Sequence, residues 1–247
     1  MRSLPRSLSI RLKIQRQDRS VGAIMAIVFD AKECSLGDLS SAVLGATETL
    51  FFSRIGSSLR KRNYVLGRYA AKIALRSALD EPELKAIEIN RGVFEQPVVQ
   101  YGRNTSWEVS ISHSQSLAIA LAYPVGHPMG IDIEYIDAAH EQTILSQLSE
   151  NEIGWVKRHE ARTGELATAL WTAKEALSKA LRTGLMSPIE IYNVVELHSI
   201  DSGVWEGSFR NFPQYKARVW IGTSYTLSIV LPKRSAFALK GELRSIL

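Results

Sequence analysis

The segment MGIDIEYID places Asp132 and Glu134 in an alternating run with Ile131 and Ile133. On a strand, where side chains have period two, both carboxylates face the same way with their Cα atoms about 6.6 to 6.8 Å apart. That grip suits one divalent ion such as magnesium, which keeps several waters and takes further oxygens from substrate phosphates. A second stretch, WTAKEALSKALRTGL (Trp171 to Leu185), reads as a helix. At about 100° per residue, Ala173, Ala176, Leu177 and Ala180 share one side, and Trp171, Glu175, Ser178, Lys179 and Arg182 share the other. A helix packed across the strand would let Glu175 complete a three-carboxylate site, Lys174 or Lys179 neutralise phosphate, and Trp171 wall the pocket. Taken singly, each feature has a plainer explanation: a D-x-E pair is an exposed polar face, and Glu175 with Lys179 is a helical ion pair worth only about 0.3 to 0.5 kcal/mol. A third element, VSISHSQSLAIAL, sets His113 between two serines at a turn between strands, suited to touching phosphate. His127, His140, His159 and His198 show no metal-ligand spacing, which argues against zinc.

Two sets of elements would position these residues. In the first, a helical pattern from Ser57 to Leu79 precedes the strand-like runs AIEI, PVVQY, WEVSIS and SLAIALAY. Its apolar face carries Leu59, Leu66, Ala70, Ile73 and Ala74, and its opposite face a basic stripe of Lys61, Arg68, Lys72 and Arg76. In the second, helical patterns from Ala139 to Leu181 precede IYNVVEL, GVWEGSF, YKARVWI and YTLSIVL. Short runs between turn-like segments predict antiparallel meanders. The expected fold class is α+β, two similar halves over residues 25–125 and 126–247, each with helices on a small, mainly antiparallel sheet.

The 247 residues carry a formal net charge of +5. The first twenty residues hold Arg2, Arg6, Arg11, Lys13, Arg16 and Arg19 against Asp18, so the rest of the chain is formally neutral. The basic charge belongs to a tail and not to a nucleic-acid-binding body. An Arg- and Ser-rich, acid-poor tail fits an organellar transit peptide or a dispensable arm; residues 1–24 are expected to be such an arm, disordered. The apolar run VGAIMAIVF is about nine residues, against about twenty for a membrane span. One cysteine, Cys34, allows no internal disulfide, and a reducing, cytoplasmic location is expected.

With these residues assembled, the sequence resembles the 4′-phosphopantetheinyl transferases, specifically the two-halved Sfp type. The resemblance rests on GIDIE (Gly130 to Glu134) followed 37 residues later by WTAKEALSKALRTGL, matching W-x-x-K-E-A-x-x-K with its trailing Gly-Leu. SISHS (Ser110 to Ser114) and RKRNYVLGRYAAKIAL, similar to R-x-x-x-x-x-x-G-R-x-A-A, support it. It implies a pseudo-dimer of two α+β halves, monomeric because the duplication supplies both, with coenzyme A in the cleft and the metal site at the interface. It also implies transfer of the phosphopantetheine arm of coenzyme A to a serine of an apo acyl or peptidyl carrier protein, leaving 3′,5′-ADP. By motif, Asp132, Glu134 and Glu175 would hold magnesium, with manganese an alternative. Lys179 would contact the phosphates and stabilise the leaving group. Trp171 and Lys174 would shape the site, and Arg60, Arg68, Ser112 and His113 would hold the nucleotide end. Glu175, or Glu152 of LSENE, would accept the serine proton. One departure is FEQPVV, with Glu95 where the family commonly has a glycine that permits positive φ. The acidic carrier would land on Lys61, Arg62 and Arg76, or on the C-terminal LPKRSAFALKGELR. Two alternatives stand beside this: a coenzyme A or carrier-binding module without turnover, and a magnesium-dependent nuclease, which the neutral body disfavours.

Overall fold

Strand β1 (Ser7–Gln15) lies inside the arm expected to be disordered, and the apolar run that follows it is strand β2 (Ser20–Phe29). Residues 1–24 are therefore not a disordered extension throughout. Leu12 and Ile14 alternate inward along β1, and the six consecutive residues Ala23–Val28 of β2 are buried, the near-continuous apolar pattern of an interior strand. The computed structural model describes residues 4–30, 34–103, 105–159, 162–237, 243 and 246–247. The chain divides into two units: one holds the chain up to Leu12 with Val21–Gly126, the other Lys13–Ser20 with His127–Leu247.

The first unit continues with helices α1 (Leu36–Val43), α2 (Ala46–Arg54) and α3 (Ser58–Leu79), hairpin β3 (Glu88–Arg91) with β4 (Pro97–Gln100), and strands β5 (Trp107–Ser114) and β6 (Leu117–Pro124). Strand β6 pairs antiparallel with β2, Ala26 opposite Ala120, and with β5, Ile111 opposite Ala120. Helix α3 starts at the Ser57 N-cap, whose hydroxyl accepts from Arg60 N–H, and stops at Asp80 with φ of 55°. It lays Val65, Leu66, Ala70, Ile73 and Ala74 on the core containing Val109, Ala118, Ala120 and Ala122. A Cβ on Gly67 would stand 3.2 Å from Ile111 Cγ2, so glycine lets α3 lie close to β5. Two members of the expected basic stripe are not on the surface. Lys72 is fully buried, donating to Val43 O at 2.7 Å and paired with Glu48 at 2.5 Å, and Arg68 is 9% exposed.

In the second unit, β7 (Gly130–Tyr135) precedes helices α4 (Glu141–Leu145), α5 (Glu150–Lys157) and α6 (Thr163–Ala180), so the helical region is three segments. A 3₁₀ turn over Ile189–Tyr192 then leads to β8 (Val194–Asp201), β9 (Val204–Phe209), β10 (Tyr215–Ile221), β11 (Tyr225–Pro232) and β12 (Ala236–Phe237). The turn takes up the Ile-Tyr expected to open a strand. The sheet runs β7-β11-β10-β9-β8, all antiparallel, and α6 packs on it through Leu166, Leu170, Ala173, Ala176 and Leu177. Gly130 makes that packing close: a Cβ there would fall 1.9 Å from Ala176 O and 2.7 Å from Ala180 N. In this unit, Ile14 and Gln15 of β1 pair with Phe237 and Ala236. Of the C-terminal segment expected to receive a partner, residues 238–242 and 244 lie outside the described residues. Among the described residues no helix is long and apolar enough to cross a membrane.

Candidate active site

Between Leu166 and Ala180 every residue of α6 is buried except Trp171, Glu175 and Lys179. Spaced four apart, they form one stripe of an otherwise enclosed helix. The opposing strand β7 sets Asp132 across from Ser228 and Glu134 across from Thr226. Ser228 Oγ lies 2.7 Å from Thr172 Oγ1, a hydroxyl pair that fixes α6 against the sheet at this level. Asp132, 2% exposed, accepts from Lys179 Nζ at 2.6 Å. Burial, with Asp132 and then Glu134 nearby, raises the pKa of Glu175 from 4.5 to about 7, although Lys179 pulls it down. The cluster thus holds more negative charge than Lys179 offsets.

Among the described residues no three His, Cys, Asp or Glu side chains form a ready-made metal set. Asp132 is engaged with the Lys179 ammonium instead. The donor chemistry nevertheless suits a hard divalent cation: oxygen ligands only, and carboxylates crowded enough to hold a proton near neutrality.

Two expected site residues belong elsewhere. Glu152 Oε2 accepts from Ser149 N–H at 2.8 Å and Ser149 Oγ at 2.9 Å, and pairs with Lys174 Nζ at 2.7 Å, while Oε1 accepts from Val194 N–H at 2.9 Å. Lys174 also donates to Gln147 O and Asn193 Oδ1, both at 3.1 Å. With side chains 2% and 0% exposed, Glu152 is saturated and out of reach of a serine proton, and Lys174 cannot shape a pocket from inside the core. Ser178, placed with the charged side, is buried and donates to Glu175 O at 2.8 Å.

The first unit contains a cavity of about 650 Å³. Arg60, Arg68 and His113 line it as the motifs suggested; Ser112 is buried and does not. Phe51, Arg54, Tyr64 and Arg91 line it too. The Arg91 guanidinium lies over the Phe51 ring at 4.6 Å, Phe51 packs on Tyr64 at 5.1 Å between centroids, and Arg68 lies over Tyr64 at 4.6 Å. Buried Glu48 stands 3.5 Å from Arg68 Nε and fixes that end of the stack. Arg54 and Arg91 had no motif spacing to mark them; the only hint was basic residues beside aromatic ones. Glu95 has φ of 65° and pairs with Arg91, so the loop keeps the left-handed conformation a glycine would favour. Arg62, expected to meet a partner, is held by Asp30 and donates to Cys34 O at 3.2 Å.

Residues 128–230, which include β7 and α6, match the 4′-phosphopantetheinyl transferase superfamily. No curated protein matches the chain. Among solved structures the chain is similar to a holo-(acyl-carrier-protein) synthase from Bacillus anthracis str. Ames in complex with CoA (3′,5′-ADP), at 20% identity, covering 47% of this chain and 97% of that one, with TM-score 0.35. It is also similar to the holo-[acyl-carrier-protein] synthase of Thermotoga maritima, at 18% identity, covering 50% and 69%, with TM-score 0.33.

Proposed function

We propose that this chain is a two-halved, Sfp-type 4′-phosphopantetheinyl transferase, acting as a cytoplasmic monomer on coenzyme A and an apo acyl or peptidyl carrier protein. The observation that carries the proposal is the Trp171–Glu175–Lys179 stripe set against Asp132, inside the segment that matches the superfamily. The carrier serine oxygen bonds to the phosphorus that bears the pantetheine arm, the bridging P–O bond to the adenosine-bearing phosphate breaks, and 3′,5′-ADP departs. Asp132, Glu134 and Glu175 would hold magnesium, or manganese, which when bound neutralises charge on the pyrophosphate. Lys179, whose side chain is 25% exposed, offers its ammonium to the phosphates. Positioning and charge compensation of this kind supply most of the catalysis in phosphoryl transfer. Glu175, or a water it orients, takes the serine proton. Arg60, Arg68 and His113 would bind the nucleotide end, with Arg54 and Arg91 in the same cavity.

The test is the intact mass of an apo acyl carrier protein after incubation with this protein, coenzyme A and magnesium, with EDTA as control. A metal-dependent gain of one phosphopantetheine supports the proposal. Coenzyme A binding without any gain, across several carrier classes, would leave a binding module in its place.

A further inference from the structure

A second cavity, of about 530 Å³, lies in the second unit and has no part in the site above. Among the described residues it is lined by Arg16, Lys233 and Arg234 together with Pro213, Gln214 and Pro232, none of them acidic. It is held together by backbone. Lys233 N–H donates to Gln214 O at 2.7 Å, tying the turn before β10 to the end of β11. Gln15 pairs with Ala236, which brings Arg16 beside the turn that carries Arg234, and Arg16 N–H donates to Arg19 O at 2.8 Å. Proline at 213 and 232 limits backbone freedom on both walls. The positive field is felt by a neighbour: His127, hydrogen-bonded to Ser235 at 3.0 Å, has its pKa lowered by burial first and then by Arg16 and Arg19. Folded into this unit, Arg16 of the basic tail becomes one wall of a basic concavity.

We propose that this cavity docks an acidic surface of the protein whose serine is modified; the identity of that occupant rests on the transferase proposal. Pro232 is four residues along β11 from Ser228, the partner of Asp132, or about 14 Å at a strand's rise per residue. A standard protein interface covers roughly 800 Å² per partner, a disc about 30 Å across. That separation is within the span of one such interface, so a carrier presenting serine to Asp132, Glu175 and Lys179 is large enough to reach the cavity as well. The rival basic face on α3 has lost much of its charge to internal pairing, because Arg62 is bound to Asp30 and Lys72 is buried with Glu48.

The test uses the full chain with Lys233→Glu and Arg234→Glu combined, and separately Arg16→Glu, with melting curves to verify folding. The neutral pair Lys233→Gln with Arg234→Gln replaces any variant that melts early. The expected result is a KM for apo acyl carrier protein raised about tenfold, an unchanged kcat at saturating carrier, an unchanged KM for coenzyme A, and a weaker salt dependence. An unchanged carrier KM, or a fall in kcat alone, overturns the proposal. So does tight binding of inorganic phosphate that the variants lose while carrier KM stays put, which would mark a small-anion site. If the wild-type protein modifies no carrier, the transferase proposal has failed. Fluorescence anisotropy of the labelled carrier then reads the docking directly, and equal affinity of wild type and variants overturns it.

Discussion

Lys174 and Lys179 leave the same helix five residues apart, and each meets a carboxylate, Glu152 at 2.7 Å and Asp132 at 2.6 Å. The first pair is enclosed, with both Glu152 oxygens and the ammonium shared among backbone and side-chain partners. The second has its lysine 25% exposed and a second acid, Glu175, whose pKa is raised to about 7 by burial first and then by the neighbouring carboxylates. Identical chemistry thus yields an anchor where every polar group is satisfied and a candidate site where carboxylates are crowded beside a partly exposed lysine. Burying a charge is tolerated only with full pairing; a site that must exchange partners with substrate keeps one side accessible.

The comparison is broken most sharply by paired substitutions. Asp132→Ala is expected to lower carrier modification by about a thousandfold or more, the several kcal/mol that metal-assisted charge stabilisation supplies. Its melting temperature should move little, since Lys179 can turn to water. A variant that keeps a tenth of wild-type turnover would remove Asp132 from the centre. Lys174→Met should do the opposite, costing about 3–5 kcal/mol in denaturant titration by stranding Glu152, with kcat per folded molecule within a few fold. A stable Lys174→Met protein that had lost turnover would reverse the assignment of the two lysines. Gly130→Ala forces α6 away from β7 and should destabilise by about 1–3 kcal/mol; wild-type stability would show that α6 and β7 do not pack as closely as described.

A smaller effect comes from pH. The folded pKa of Glu175 is near 7, against an ordinary 4.5, so between those values the native state holds a proton that the unfolded chain has released. By linkage, metal-free stability falls as pH rises through that window, by at most about 1.4 kcal/mol per unit, and levels above it. Melting curves in EDTA from pH 5 to 8 should show the decline in wild type and a weaker one in Glu175→Gln. Identical slopes would mean that Glu175 is not crowded. Smallest of all, Arg76→Ala, at an exposed position of α3, should change carrier KM by no more than about twofold, as for a solvated charge.

Much of this was legible in the chain. Strand alternation put Asp132 and Glu134 on one face, and helical spacing put Trp171, Glu175 and Lys179 on another. The interior role of β2 was obscured because a buried strand has no alternation to read. Burial of Lys72, Lys174 and Glu152 was hidden because a charged side chain goes inside only when a distant partner meets it, and Glu48, Gln147 and Asn193 lie far along the sequence. The same holds for the second cavity, whose cations come from residues 16, 233 and 234.

By itself, the sequence determined the α+β class, the helix face and the strand face that carry the acids, and Gly130 in the acidic motif, because these follow from local periodicity and residue type. Only the tertiary structure decided which lysine is enclosed with Glu152 and which stays partly exposed beside Asp132, which arginines line the first cavity, and that Lys13–Ser20 of the basic tail fold into the second unit. Those outcomes depend on long-range burial and charge pairing, and neither has a period along the chain.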